Sequence, residues 1–442
     1  MSTETSPSPF KRPTRRSFLA GVAATTLGSQ SELQMLAKGQ RMQGTRISRD
    51  GLRRLYETMA AYVAAGERPG LVTLLYRNGE THVDAIGNHE FGAGPAMRRD
   101  TIFRIASITK PITGAVTMSL VEDGLLSLDE PVDRLIPELA NRRVLMRLDG
   151  SLDDTVPARR PILVSDLLTM RMGMGAIMSP GDYPIMKAMM QTGVFIPFRM
   201  PTAKSADEWI AALAELPLMD QPGEVWRYDT SITLLGALIE RAAGKPLGEV
   251  FAERVFQPIG MRDTGFVVPP DKLHRLPVTY QKNQQTGKLE VWDPSGQSSF
   301  FAKLHGFPGA HGGLVSTVDD YAAFAEMMLN EGKAGKTRVL SAESVKAMTT
   351  DNIPQEVKAR STFVPGFWDL RGWGYGLSVI KKQEPGEPRG FGWDGGYGTV
   401  AYWDNKTRTI VLLFSQRLVE GPTYSEIFRK FFSEAYAALD QA

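Results

Sequence analysis

The amino-acid sequence predicts an α+β protein in which an antiparallel sheet is flanked by helices and carries an inserted all-helical lobe. Three observations predict this fold class. Strand patterns lie near both ends of the chain, helical patterns broken by Pro and Gly fill the middle, and no internal repeat is present. Strands from both ends of a chain can pair into one antiparallel sheet, which leaves the helical middle as an insertion.

The N-terminal residues 1–45 are predicted to be an export signal and a linker. An Arg15-Arg16 pair is followed by SFL and a short run rich in Ala and Gly, a pattern typical of a twin-arginine signal. The run is too short to span a bilayer stably. We therefore expect a periplasmic or secreted protein. The alternative is a basic tail with a chance Arg pair, and hence a cytoplasmic protein, because no clear A-x-A cleavage site follows.

The first elements of the predicted sheet follow this segment. Apolar residues recur with helical spacing over 48–65, and the Gly residues at 66 and 70 end that pattern. Apolar runs at 71–76 and 82–86 flank Asn78-Gly79. Because Asn-Gly readily adopts the positive φ of a tight turn, these two runs predict a β-hairpin.

The remaining elements define two predicted lobes. Residues 46–102 and 275–442 are assigned to an α/β lobe, residues 103–274 to a helical lobe, and the active site to the cleft between them. A stretch rich in Met, Pro and Gly at 172–204 predicts a long loop that could cover the site. The clearest predicted helices are 112–122, 162–170, 206–214, 232–243 and 424–439, and the clearest late strands are 374–381, 399–404 and 409–415.

Composition excludes several classes of function. Lys and Arg total 51 against 49 Asp and Glu, which gives no reason to expect a nucleic-acid partner. The absence of Cys removes disulfides, thiolate nucleophiles and thiolate metal sites, and the five His do not have zinc-site spacing. We therefore expect no metal and no cofactor. The short N-terminal run predicts no stable membrane span, and a small-molecule substrate remains open.

The candidate nucleophile is Ser107, which begins a predicted helix as Ser-Ile-Thr-Lys. The three-residue spacing places the Ser107 hydroxyl and the Lys110 amine on one helix face. A lysine in a dry cleft can have a lowered pKa and can accept the serine proton, and the helix N-terminus aims N–H groups at the reacting oxygen. The motif alone is weak, because residues 8–11 also match it. The alternative is a helix cap at Ser107 with a solvated Lys110.

Five segments, in order along the chain, resemble the serine β-lactamase and penicillin-binding-protein superfamily. They are FRIASITKPIT with EDGLLSLDEPV, LVSDLLTMRMGM, QPGEVWRYDTSITLLGALIERAAGKPL with PIGMRDTGF, HGGLVSTVDDYAAFAEMMLN, and GWDGGYGTVAYWDN. The resemblance covers nearly all of the chain after residue 50 and is closest to the family VIII carboxylesterases. It implies a β-lactamase/transpeptidase-like fold.

The resemblance also implies roles for particular residues. Tyr228 is implied as general base and then acid, and the N–H groups of Ser107 and Gly396 as the oxyanion hole. His311, in a Gly-rich turn, is expected to fix a loop.

Two positions depart from the β-lactamase pattern. The usual Tyr-x-Asn is Tyr228-Asp229-Thr230, and Trp393-Asp394-Gly395 stands where β-lactamases carry Lys-Thr-Gly or His-Thr-Gly. Substrate is expected to bind at Trp393, Asp394, Gly395 and Thr230. Because Trp393 replaces a cation of the β-lactamase pattern, the pocket should favour neutral, apolar groups.

These residues predict a serine hydrolase, most simply a carboxylesterase that acts through an acyl-enzyme intermediate. A β-lactamase or D-amino-acid amidase or peptidase would use the same residues. A binding or scaffold protein that kept the fold but lost the chemistry is the alternative from another class.

Overall fold

The computed structural model describes residues 46–195, 204–421 and 425–440. These residues belong to one compact unit. The predicted signal and linker at 1–45 and part of the predicted long loop, at 196–203, lie outside the described residues. The division into lobes at 46–102 with 275–442 and at 103–274 stays a prediction.

The described residues contain sixteen strands. They are β1 (Gly70–Arg77), β2 (Glu80–Glu90), β3 (Ala93–Ala96), β4 (Phe103–Arg104), β5 (Arg143–Leu145), β6 (Thr155–Pro157), β7 (Thr279–Lys282), β8 (Leu289–Asp293), β9 (Val315–Ser316), β10 (Lys333–Ala334), β11 (Thr337–Arg338), β12 (Arg371–Trp373), β13 (Ser378–Ile380), β14 (Phe391–Gly395), β15 (Thr399–Asp404) and β16 (Thr409–Ser415).

The α-helices are numbered in the same way. They are α1 (Arg49–Ala64), α2 (Thr109–Glu122), α3 (Val164–Leu168), α4 (Pro184–Thr192), α5 (Ala206–Ala214), α6 (Thr230–Ala243), α7 (Leu247–Phe251), α8 (Gln257–Ile259), α9 (Val318–Leu329), α10 (Ala342–Met348), α11 (Gln355–Arg360), α12 (Phe367–Leu370) and α13 (Glu426–Asp440).

Eight of the strands form one antiparallel sheet in the order β12-β13-β14-β15-β16-β1-β2-β3. Strand β1, from the first part of the chain, pairs with β16, from the last, and Leu74 lies opposite Leu412. The hairpin between β1 and β2 turns at Asn78 and Gly79, whose φ angles are 49° and 94°. The α+β class, the sheet assembled from both ends of the chain and the Asn-Gly turn are thus confirmed.

Both faces of this sheet are covered by helices. Alternate side chains of a strand point to opposite faces. Accordingly, Leu71 and Leu75 of β1 pack in a core with α1 and α13, whereas Val72 and Leu74 pack in the larger core that contains α2, α6 and α9. Because the second face buries the first turns of α2 and α6, it positions the candidate site.

Two predicted elements are wrong in detail. The predicted strand at 374–381 begins too early: residues 378–380 form β13, whereas 374–377 form the turn from β12, in which Gly376 adopts a φ of 81°. The predicted loop at 172–204 contains α4, which begins at a Pro and ends before Gly193 in the left-handed region. Met189 of this helix is fully buried, so part of the Met-rich stretch fills the core.

Candidate active site

Ser107 lies on a short 3₁₀ turn, Ala106–Ile108, that joins β4 to α2. A backbone angle and a hydrogen bond define the shape of this turn. Ala106 adopts a φ of 46°, which is unusual for a residue other than Gly, and the preceding Ile105 carbonyl accepts a hydrogen bond from Thr399 Oγ1 at 3.0 Å. Ser107 is half-buried, while its neighbours on both sides are buried. The hydroxyl is therefore presented at a fixed position with access to solvent.

The Lys110 amine is completely buried and surrounded by acceptors. Its Nζ donates to Ser107 Oγ at 3.0 Å and to the His311 carbonyl at 2.7 Å, and it lies 2.7 Å from Asp229 Oδ1. It also lies 4.5 Å from the centroid of the Tyr228 ring. An ammonium has three N–H donors, and these three oxygens can receive all of them.

The pKa of Lys110 differs in sign from the sequence-based expectation. Burial does disfavour the ammonium, as expected, but the negative charge of Asp229, together with Tyr228, outweighs burial and raises the pKa of Lys110 above its ordinary value. The expectation of a lowered lysine pKa is therefore wrong. The Asp229 carboxylate, whose position the sequence did not reveal, causes the difference.

Tyr228 lies between the nucleophile and β14. Its hydroxyl is hydrogen-bonded with Ser107 and accepts a hydrogen bond of 2.6 Å from Trp393 Nε1. Burial raises the pKa of Tyr228, while the Lys110 charge and the hydrogen bonds from Ser107 and Trp393 act in the opposite direction without cancelling it. The resting group is a neutral phenol with donors arranged to stabilise a phenolate.

Aromatic rings surround the Tyr228 ring. The rings of Trp226, Phe363 and Trp393 have centroids at 5.8, 5.3 and 5.7 Å from it. Trp226 and Trp393 are buried, whereas Phe363 is half-buried. The environment beside the nucleophile is therefore largely apolar.

Strand β14 packs against the turn that carries Ser107. A Cβ atom on Gly395 would lie 2.4 Å from the Ile105 carbonyl oxygen, so only glycine permits this approach. Gly396 follows directly after the strand, where its carbonyl accepts from the Val419 N–H at 2.9 Å. The backbone at Gly396 is thus placed beside the turn of the nucleophile.

The other predicted substrate-binding residues have different surroundings. Asp394 alternates with Trp393 along β14, and its carboxylate lies 3.5 Å from Arg371 Nη1. Thr230 is buried at the start of α6, and its hydroxyl has no hydrogen-bond partner in the described parts of the chain. The substrate-binding roles of Asp394 and Thr230 stay predictions.

Two further residues complete the group around Lys110. Asp229 adopts φ 90° and ψ −67°, and its Oδ2 lies 3.5 Å from His311 Nε2. His311 Nδ1 lies 2.8 Å from Thr233 Oγ1. The sequence expectation treated Asp229 only as part of a departure from Tyr-x-Asn, although that departure was the available signal for an altered site.

The described ranges contain neither a candidate metal site nor a candidate membrane-spanning helix. Among residues 46–195, 204–421 and 425–440, no group of three or more His, Asp or Glu side chains is arranged to hold a metal ion. In the same ranges no helix combines the length and the apolar character needed to cross a bilayer.

Comparison with known proteins shows the family of this chain. The Beta-lactamase family model matches residues 55–430. Protein Rv1367c of Mycobacterium tuberculosis is 39% identical over 366 residues, which cover 79% of this chain and 86% of that protein. Esterase EstB of Burkholderia gladioli is 31% identical over 374 residues, which cover 80% and 87%.

A solved structure shows the same fold. EstCE1, described as a hydrolase with promiscuous acyltransferase activity, superposes with a TM-score of 0.70 at 22% identity over 88% of this chain and 98% of its own. The predicted β-lactamase/transpeptidase-like fold and superfamily are confirmed. An enzyme is thereby supported at the general level, and the chain belongs to the β-lactamase family of hydrolases.

Proposed function

We propose that this protein is a carboxylesterase that cleaves small, neutral, apolar esters through an acyl-enzyme on Ser107. The hydrogen bond from Trp393 Nε1 to the Tyr228 hydroxyl, at 2.6 Å, carries this proposal. Trp393 stands where the β-lactamase pattern has a cation, so the strand offers Tyr228 an uncharged donor and offers an anionic substrate no charge partner at that position. The similarity to Esterase EstB supports the same reaction.

In the proposed first half-reaction, the Lys110–Tyr228 pair first loses one proton to solvent, which leaves Tyr228 as a phenolate. Ser107 Oγ then attacks the ester carbonyl carbon, and its proton passes to the Tyr228 oxygen. The N–H groups of Ser107 and Gly396 receive the developing oxyanion. The carbon–oxygen bond to the alcohol then breaks, and Tyr228 returns the proton to the leaving oxygen. Water repeats these steps on the acyl-enzyme and releases the carboxylic acid.

The surroundings of Tyr228 set the proposed preference. Its ring is bordered by Trp226, Phe363 and Trp393, and half-buried Phe363 is the ring among them with most access to solvent. An apolar acyl or alcohol group gains free energy by covering such rings, whereas a carboxylate would lose its hydration without a cation in return. We therefore expect short aliphatic esters to react faster than penicillins.

The test compares p-nitrophenyl acetate and butyrate with nitrocefin. Ester turnover by the wild type should vanish in Ser107→Ala and persist in Ser119→Ala, which removes a hydroxyl from the same helix, α2, where it bonds the Val116 carbonyl. Dominant nitrocefin cleavage would favour a β-lactamase instead. The absence of any turnover dependent on Ser107 would favour the non-catalytic alternative.

The place of action is a separate proposal. The Arg15-Arg16 segment supports export through a twin-arginine route to the periplasm or medium. Replacing both arginines by lysine should retain the protein in the cytoplasm, which cell fractionation would detect. An unchanged distribution would contradict the proposal.

A further inference from the structure

We propose that Asp229 is a positioning residue for the reaction: its carboxylate pairs with the Lys110 ammonium between Ser107 and His311, which leaves Tyr228 to take the serine proton. The inference deepens the proposed function and rests on Ser107 being the nucleophile. It departs from the expectation that Lys110 shares the role of base.

The contacts of Lys110 are the first step of the argument. Its three N–H groups can donate to Ser107 Oγ at 3.0 Å, the His311 carbonyl at 2.7 Å and Asp229 Oδ1 at 2.7 Å. An amine that donates to all three oxygens has no lone pair for the serine proton. Lys110 can then orient Ser107 and stabilise negative charge, but it cannot act as the base.

The backbone at Asp229 is the second step. Its φ of 90° and ψ of −67° lie in a region that residues other than Gly rarely occupy, at a cost of about 1–3 kcal/mol. The segment is fixed in this shape by two bonds: the Asp229 N–H donates to Met170 Sδ at 3.4 Å, and the Tyr228 carbonyl accepts from the Ala176 N–H at 2.9 Å. The strained residue is the one whose carboxylate reaches Lys110.

Charged and titratable groups face Asp229 from several elements. Lys110 approaches from α2, Tyr228 from its own segment, His311 from the loop before β9, and Tyr397 from the turn after β14. Burial lowers the pKa of His311, and its Nε2 lies 3.5 Å from Asp229 Oδ2. Burial would raise the pKa of Asp229, but His311 and Lys110 outweigh it, and Asp229 stays a carboxylate.

This arrangement fixes the sign of a pH effect. The Lys110–Tyr228 pair holds two protons at low pH and must lose one to accept the proton of Ser107. The negative charge of Asp229 opposes that loss. Removing the charge therefore moves the rise of activity with pH, called the acid limb below, to lower pH. Removing the Asp229 charge also removes the ion pair that positions the Lys110 amine. This should reduce the constant rate reached above the acid limb, called the plateau below. A purely structural defect would reduce the rate without moving the limb.

The test measures the rate of Ser107 labelling by a fluorophosphonate between pH 5 and about 11.5, with ester hydrolysis followed in parallel. In the labelling reaction Ser107 Oγ bonds to phosphorus, fluoride leaves, and the hydroxyl proton passes to Tyr228. Asp229→Asn should shift the acid limb down by about one to three pH units and lower the plateau by about 100-fold. Asp229→Glu should recover part of both effects.

The matched control is Asp84→Asn. Asp84 also pairs with a histidine, His82, at 3.1 Å, and its side chain is 17% exposed against 15% for Asp229, but it lies on β2. This control should keep the wild-type profile. Thermal unfolding identifies a variant that fails to fold, and in that case Asp229→Gly, which relieves the positive φ without restoring the charge, must give the same shift.

An unchanged acid limb in Asp229→Asn, with Ser107 still labelled, would overturn the inference and leave the esterase proposal intact. Labelling that shifts as expected in a protein without ester turnover would support the inference and refute the esterase reaction.

Discussion

Replacing Trp393 by Phe should move the acid limb of ester hydrolysis to higher pH, opposite to the shift expected for Asp229→Asn. Trp393 Nε1 donates to the Tyr228 hydroxyl at 2.6 Å, and this bond opposes the increase in the pKa of Tyr228 that burial causes. Phe keeps most of the apolar ring but has no N–H. The phenolate then loses a donor, so a higher pH is needed to form it.

The magnitude follows from the same bond. A hydrogen bond to a charged oxygen is worth about 1.5–3 kcal/mol and one to a neutral phenol about 0.5–1.5 kcal/mol. The difference of about 1–1.5 kcal/mol corresponds to about one pH unit. On the rising limb the Trp393→Phe variant should therefore be about tenfold slower than the wild type, and at high pH the two rates should converge.

The assay is kcat/KM for p-nitrophenyl butyrate from pH 6 to about 11.5, corrected for spontaneous hydrolysis. Trp403→Phe is the control: Trp403 is buried in the neighbouring strand β15, and within the described residues its Nε1 has no partner. It loses the same ring volume, so its pH profile should match the wild type. An acid limb that stays in place or moves to lower pH in Trp393→Phe would refute the assignment of Tyr228 as the base.

Two further predictions concern the framework of the site. Gly395→Ala should reduce ester turnover by about 100-fold, because the new Cβ would lie 2.4 Å from the Ile105 carbonyl oxygen and would push β14 away from the nucleophile. Gly248→Ala, whose new Cβ would lie 3.8 Å from the Phe266 ring, should keep full turnover, and equal turnover in both variants would contradict the argument. Arg104→Met should lower the free energy of unfolding, measured with denaturant, by about 3–5 kcal/mol, because the buried Asp293 carboxylate would lose its cation. A change below about 1 kcal/mol would refute the stabilising role of this ion pair.

Much of the fold was predictable because its signals are local. The apolar runs of β15 and β16, the Asn78-Gly79 turn and the spacing of apolar residues in α5 each depend on a few neighbouring residues. The strand predicted at 374–381 was too long at its start, because the positive φ of Gly376 makes a turn that a short apolar run does not reveal, and only 378–380 form β13. The helix α4 was missed because its Met and Pro content is equally compatible with a loop.

The sequence by itself determined which groups can do chemistry and that Ser107 and Lys110 lie together, since a three-residue spacing at the start of a helix brings two side chains to one face whatever surrounds them. It also suggested Tyr228 and Trp393, through a resemblance, but not the hydrogen bond between them. Only the tertiary structure decided the charge state of Lys110. That state depends on Asp229 and Tyr228, which approach from a distant part of the chain, and the Coulomb energy of buried charges depends on distances in space that no local pattern encodes.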